Sequence, residues 1–287
     1  MNVFSLLQGS QTITISDFDQ QRIVLFQGEI YKYFAEYGRS FPWRETYDPY
    51  AIFVSEIMLA QTQTSRVIPK YYAWMDAFPT INVLASASLK QVLYYWSGLG
   101  YNRRACYLLD SAKKIVQDHD GVVPSTTADL RTLPGVGRYI AGAILAFAYN
   151  QPQVFIETNI RTVYLYHFFR GRENVSDAEI FPLIEKTIDN ENPRQWYYAL
   201  MDYGAMLKRK VENPSRKSAH HIQQKKFIGS DRQIRGKIIK MLINEETISE
   251  KGICMSIDAD SIRIAKILNE LVYEGFIKKV HHTYSIV

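Results

Sequence analysis

Two glutamates stand where acid chemistry is possible. Glu157 lies in "VFIETNIRTV" (154–163), directly after an apolar run and beside the polar Thr158 and Asn159. Glu56 lies in "DPYAIFVSEIMLAQTQT" (48–64), among Ile52, Phe53, Ile57, Met58 and Leu59. A carboxyl in an apolar pocket has its pKa raised and can act as a general acid near neutral pH. One among polar groups can stay ionised. One protonated and one ionised carboxyl suit cleavage of a glycosidic bond through a cationic sugar, and the N-glycosidic bond of DNA breaks through such a state. Each acid also has an ordinary reading. Glu56 can be a surface acid on the polar face of its helix, and Glu157 an N-cap acid beside a capping Thr158.

A second pattern carries binding chemistry. In "LRTLPGVGRYIAGAIL" (130–145) a helix ends near Leu133, Pro134 and two glycines turn the chain, and a helix restarts at Arg138. Gly135 and Gly137 permit positive φ and close approach of a ligand to the backbone. The N–H groups opening the next helix can then take a phosphate oxygen, helped by the helix dipole. The pattern reads as a helix-hairpin-helix phosphate clamp. Its bland alternative is a helix connection with glycine for packing.

These residues need a scaffold, and its periodicity is helical. Apolar positions recur at helical spacing over about 20–38, and Asp48 caps a helix that has Pro49 at its first position. Further amphipathic segments span 64–77, 88–97, 102–118, 126–132, 138–149, 159–170, 177–190 and 194–206. The expectation is a mainly α assembly over 20–207, preceded by an N-terminal arm (1–19). Residues 208–226 then carry seven Lys/Arg against one acid and little to bury. This reads as a basic linker over 208–230, with Lys208, Arg209, Lys210, Arg216 and Lys217 able to track phosphates. From 231 to 287, one helix over Ile234–Leu242, a second over about 258–275 and the hairpin "GFIKKVHHTYSIV" look like a winged helix-turn-helix.

Composition narrows the class. With 47% hydrophobic and 13% aromatic residues the chain can build a core, which argues against disorder. Its net charge of +5 and pI near 9.0 suit a polyanionic partner. Cys106 and Cys254, far apart in sequence, suggest a reducing compartment and leave no cysteine-rich metal site within the chain. No stretch of about 18 apolar residues exists, so no membrane partner is expected and the location expected is cytoplasmic, on nucleoid DNA.

At these motifs the chain closely resembles the helix-hairpin-helix (HhH-GPD) DNA glycosylase superfamily, in particular MutY-type A/G-specific adenine glycosylases. The resemblance covers about residues 40–206 and rests on "FPWR", "DPYAIFVSEIMLAQTQTSRVIPKYY", "FPTINVLASASLKQVLYYWSGLGYNRRACYL", "LPGVGRYIAGAILAFA" and "WYYALMDYGAM" in matching order. It implies a two-lobed α fold, with the active site in the cleft between lobes and a base flipped out of the duplex. It gives Glu56 the place of the adenine-protonating acid. Gln61 and Tyr101 match wedge residues on the two strands, although Ala60 departs from a usual glutamine. Gly135, Val136 and Gly137 match the phosphate hairpin, and Arg44 of "FPWR" is placed with the DNA contacts. Tyr139 stands where strand-cleaving relatives keep lysine, so no β-lyase activity is expected. Glu157 aligns with the catalytic aspartate, one methylene longer, with Asn159 and Tyr139 positioning carboxylate and water.

Two departures follow the shared segment. After "MDYGAM", relatives place four cysteines around an iron–sulfur cluster, whereas here Lys208 follows, and the cofactor expectation is none. The winged-helix-like tail stands in place of a Nudix-like domain. Three functions are compatible with this pattern. The first is a monofunctional glycosylase of base excision repair acting on duplex DNA with a mismatch or lesion, adenine opposite guanine or 8-oxoguanine foremost. The second is a thymine, uracil or other modified-base glycosylase on the same scaffold. The third is a weak or inactive relative that recognises distorted DNA.

Overall fold

The computed structural model describes residues 20–220 and 226–287; the expected N-terminal arm lies outside the described residues. The helices run in chain order as α1 (Gln20–Tyr37), α2 (Pro49–Leu59), α3 (Thr64–Ala77), α4 (Ile81–Ala85), α5 (Leu89–Trp96) and α6 (Arg103–Asp118). There follow α7 (Thr127–Leu130), α8 (Arg138–Tyr149), α9 (Thr158–Phe168), α10 (Asp177–Thr187) and α11 (Pro193–Lys210). The remainder is α12 (Asp231–Asn244), β1 (Ile248–Ser249), α13 (Glu250–Ser256), α14 (Ser261–Tyr273), β2 (Ile277–Val280) and β3 (Thr283–Ile286). Side chains chosen for capping start many of them. Asp48 Oδ1 accepts from Tyr50 N at 3.0 Å at the head of α2. Ser88 with Gln91 and Ser176 with Glu179 form capping boxes on α5 and α10.

The described residues divide into two compact units that interleave in sequence: those up to Ile52, Ser125–Arg131 and those from Val136 to His220 form one, and the remaining described residues form the other. In the first unit α1 packs on α10 and α11, and α11 packs on α8 and α9. Phe26, Ile30, Phe155, Tyr164 and Trp196 are buried at its centre. Gly204 of α11 lies so close to the backbone of Asn159 that a Cβ there would overlap it. Glycine is therefore what lets α11 and α9 meet at this point. Phe155 stacks on Tyr197 at 4.0 Å, and the Tyr197 hydroxyl donates to the Gln153 carbonyl. These contacts fix the extended stretch that delivers the chain to Glu157.

Asp202 of α11 ties this unit to the segment after α1. It accepts from Arg39 Nε at 2.8 Å and Nη2 at 2.6 Å, and from Arg44 Nη1 and Nη2, each at 2.9 Å. Arg44 also lies over the Tyr198 ring, 4.4 Å from its centroid, with only 8% of its side chain exposed. Its guanidinium is consumed by the fold, which corrects its placement among the DNA contacts.

In the second unit, Trp74, Trp96 and Leu108 are fully buried among α3, α5 and α6. The tail groups with this unit. Its α12 packs against α5 and β3. Lys90 Nζ donates to the Glu245 carbonyl at 3.2 Å, and Arg103 pairs with Glu274 at 2.7 Å. Its antiparallel sheet has the order β1-β3-β2, with Ile248 opposite Tyr284 and Val280 opposite Thr283. Helix, short strand, two helices and a hairpin make the element order of a winged helix-turn-helix.

Some expected boundaries move. The helix before the hairpin ends at Leu130, not Leu133, and α11 continues past Met206 to Lys210. The segment after it is no bare linker. Pro214, Ser215 and Ser218 are buried, a 3₁₀ turn over Pro214–Lys217 packs on α9, and Ser218 bridges to Val175.

The Asp202 ion pair generates a prediction. Burial by itself raises the Asp202 pKa, but the hydrogen bonds and charge of Arg44, with those of Arg39, hold it below the usual carboxylate value. A depressed carboxylate contributes stability above its unfolded pKa and loses it as pH falls through the folded value. Asp202→Asn leaves two guanidinium groups without their acid and is expected to lower unfolding free energy by about 3–5 kcal/mol at neutral pH. The deficit should narrow on acidification, as read by urea titration.

Candidate active site

Glu157 is itself the N-cap of α9, so the cap and the candidate catalytic acid are one residue. Its Oε1 accepts from Asn159 N at 2.6 Å and Ile160 N at 2.9 Å. Its Oε2 accepts from Asn159 Nδ2 at 3.2 Å. Thr158, expected as the capping residue, is exposed and is already the first helical residue. Short side chains are the usual N-caps. Here the extra methylene of glutamate is taken up as the side chain curls back over the first turn. Burial pushes the carboxyl above its usual range, while the Lys208 charge and the two backbone N–H groups pull it down.

Lys208 enters this site from α11. Its Nζ donates to Asn159 Oδ1 at 2.8 Å, so it is tied to the first turn of α9 and is not a solvated phosphate contact. Arg209, Lys210 and Arg216 are exposed and Lys217 is half-buried, all of them available to a ligand. Tyr139, on α8, sets its ring against Phe155 with centroids 5.9 Å apart.

The hairpin glycines differ. Gly135 has φ +75°, and an added Cβ would collide with the Tyr107 ring. Gly137 has φ −86° and is extended, so the expectation of positive φ holds at one position only. A Cβ on Gly137 would meet nothing among the described residues within 4 Å. Neither the backbone nor internal packing requires glycine there. Gly137 is the N-cap of α8 and, as glycine, brings no capping side chain of its own, and the first-turn N–H groups have no intrahelical partners. Val136 between them is buried.

In the second unit, Glu56 is 4% exposed on α2, within the apolar face Phe53, Ile57 and Met58. The reading of it as a surface acid is thereby removed. Just beyond α2, Gln61 is exposed and adopts φ +58°. Tyr101, 40% exposed, adopts φ +48°. Non-glycine residues in this region cost roughly 1 kcal/mol or more and persist only where surroundings impose them.

Arg104 imposes them. Its Nη1 lies 2.9 Å from both the Ile57 and Met58 carbonyls and 2.6 Å from that of Ala60. Its Nη2 donates to Thr62 Oγ1 at 3.0 Å and the Gly100 carbonyl at 3.1 Å. The guanidinium thus caps the C-terminus of α2, where a cation suits the helix dipole, and ties the turn bearing Gln61 to the turn bearing Tyr101. Burial lowers its pKa to about 10. Arg232 of α12 adds a bond from Nη1 to the Tyr101 hydroxyl at 3.0 Å. The sequence reading overlooked Arg104, yet it holds a signal. Arg103 and Arg104 occupy the first turn of α6, where the dipole disfavours cations.

Against known proteins, residues 54–190 match the model of the HhH-GPD superfamily base excision DNA repair protein. An adenine DNA glycosylase of Mycobacterium tuberculosis is 34% identical over 230 residues, covering 71% of this chain and 74% of that protein. The chain belongs to this superfamily of base excision repair proteins. Within it, similarity runs to adenine DNA glycosylases: the human enzyme is 35% identical over 201 residues, and that of Buchnera aphidicola 35% over 189. The matches cover 66% and 64% of this chain, which spans only 37% of the human and 53% of the Buchnera enzyme. A thermostable thymine-DNA glycosylase shares the fold at TM-score 0.61 and 23% identity, covering 68% of this chain and 91% of that one.

The iron–sulfur cluster of MutY-type relatives has no matching donor set in this chain. Lys208 follows "MDYGAM" and is engaged with Asn159. Cys106 and Cys254 are the chain's two cysteines, and no cluster of three potential ligands occurs among the described residues. No helix among them is long and apolar enough to cross a membrane.

Replacing Arg104 by lysine tests the clamp. A lysine ammonium has three donors and no planar fork to span the acceptors of both turns. Arg104→Lys is expected to cost about 2–3 kcal/mol of stability. Hydrogen exchange should show faster amide exchange at residues 60–62 and 99–101 and none at α9.

Proposed function

We propose that this chain is a monofunctional DNA glycosylase of base excision repair that removes adenine from duplex DNA, opposite guanine or 8-oxoguanine. The observation that carries the reading is the Glu157 carboxylate, capped into α9 and held by Asn159 in the segment where the superfamily keeps its catalytic acid. Similarity to adenine DNA glycosylases supports the choice of base. The C1′–N bond breaks with its electron pair leaving on the base, and Glu56 supplies the proton that neutralises the departing adenine. Glu157 faces the sugar cation as an anion, and water adds to C1′ while its released proton returns to the Glu56 carboxylate. Asn159 and Tyr139 orient carboxylate and water. With a phenol at position 139, the reaction stops at the abasic site. The side chains alone supply this chemistry, without a cluster. The enzyme works on genomic DNA in the cytoplasm, gripping the backbone through Gly135–Gly137 and the basic residues Arg209, Lys210, Arg216 and Lys217, with Gln61 and Tyr101 wedged into the stack.

Duplexes bearing adenine opposite 8-oxoguanine, adenine opposite guanine, or thymine opposite guanine, incubated with protein and then treated with alkali, test this. Alkaline cleavage at adenine is expected, and Glu157→Gln should reduce release by at least a thousandfold, about 4 kcal/mol of barrier, with duplex binding retained. Cleavage at thymine alone would move the chain to another base. Binding without cleavage of any duplex would make it a recognition protein.

The hairpin gives a second test. Gly137→Ala is compatible with the native φ and should leave Tm unchanged or slightly raised, while weakening duplex binding about tenfold, or 1.4 kcal/mol. Gly135→Ala should instead lower stability by roughly 1–3 kcal/mol. Calorimetry and fluorescence anisotropy separate the two.

A further inference from the structure

The Lys208 amine points into the catalytic segment, in the place where MutY-type relatives turn to cysteine. Its Nζ lies 2.8 Å from Asn159 Oδ1, and the same amide donates through Nδ2 to Glu157 Oε2 at 3.2 Å. We infer that Lys208 is a positioning residue for Glu157: through Asn159 it fixes the orientation of the longer acid, and its charge keeps that acid an anion. The inference rests on the catalytic role proposed above for Glu157.

Two cations favour the Glu157 anion, Lys208 and, to a smaller extent, Arg161. On α9, Arg161 is engaged by Asp177 of α10 through bonds of 2.7 Å from Nε and from Nη2. His220 stands 4.0 Å from the same Asp177. On α8, Arg138 lies over the Phe181 ring, 4.4 Å from its centroid, and Tyr139 packs on Phe155. Lys208, from α11, is the cation joined to Glu157 through one amide. The coupling is reciprocal: Lys208 leads the groups that lower the Glu157 pKa, and Glu157 raises that of Lys208 against the effect of its burial. Gly204, one helical turn before Lys208, sets the approach of α11 to Asn159 and thereby the reach of the amine. The arrangement also accounts for a glutamate here. An acid one methylene longer has more rotamers, and a lysine-anchored amide selects among them.

Two substitutions separate charge from shape. Lys208→Gln retains a donor toward Asn159 and removes the charge, and Lys208→Arg retains the charge. Single-turnover release of adenine from a duplex with adenine opposite 8-oxoguanine is followed from acidic to neutral pH. Without the cation, Glu157 takes up its proton at higher pH. The acidic limb of Lys208→Gln should therefore rise by about one pH unit, a tenfold loss at fixed pH on that limb, and the rate should recover at higher pH. Lys208→Arg should follow the unmodified protein. A Lys208→Gln limb that coincides with that of the unmodified protein overturns the inference. Glu157→Gln is run alongside: full release by it removes Glu157 from the mechanism, whereas no release together with an unmoved Lys208→Gln limb removes Lys208 only. A further arm needs neither activity nor a folded Lys208→Gln. In the unmodified protein with ¹³Cε-labelled lysine, one lysine resonance, identified as Lys208 by its loss in Lys208→Arg, should show an inflection at acidic pH that Glu157→Gln abolishes. Its absence also overturns the inference.

Discussion

The first turn of α9 is closed by a carboxyl side chain, and much of the first unit is arranged around that cap. The opening N–H groups of a helix need acceptors, and Glu157 supplies them with one oxygen while Asn159 engages the other. The cap and the proposed chemistry pull together, because the N–H bonds that satisfy the helix favour the ionised acid. Burial pulls the other way. The balance holds only because α11 approaches α9 closely enough for Lys208 to reach Asn159, an approach that Gly204 permits and the Phe155–Tyr197 stack aligns.

Each unit buries a guanidinium and settles its charge differently. In the first, the buried Arg44 is neutralised by Asp202, which also accepts from the partly exposed Arg39. In the second, the two terminal nitrogens of Arg104 donate to the carbonyls of a helix end and a turn. A carbonyl clamp adds no opposing charge that would repel phosphate. It suits a surface whose two tips, Gln61 and Tyr101, are held in left-handed backbone. Arg44 works as mortar and Arg104 as a template.

Much of this was legible in the sequence because periodicity and caps are local. The spacing over 64–77 and 138–149 coincides with α3 and α8, and "LPGVG" locates the hairpin. Short helices escaped: α4 has five residues, and α13 buries only Ile253, too little to write a period. The roles of basic residues escaped for another reason. Arg44, Arg104 and Lys208 look alike as cations in a string, and only long-range partners separate a core ion pair, a carbonyl clamp and an anchored amine. The assignment of Asn159 to carboxylate positioning agrees with its bond to Glu157, but its tie to α11 has no local signature. Of the two hairpin glycines, Gly135 uses the positive φ that glycine permits and Gly137 does not, a difference that a glycine in a string does not announce.

The interleaved units carry a consequence for how the chain is made. Arg39 finds Asp202 across a sequence separation of 163 residues, and α1 packs on α10 and α11. During synthesis from the N-terminus, the buried face of α1 has to wait for α9, whose Tyr164 and Phe168 rings meet Phe26, and then for α10 and α11. Contacts of such separation slow folding and prolong the exposure of apolar surface. The second unit faces the same delay, since α5 and α6 wait for the tail that closes on them. A nascent chain of this protein therefore keeps apolar surface exposed for longer than its short, well-capped helices would suggest.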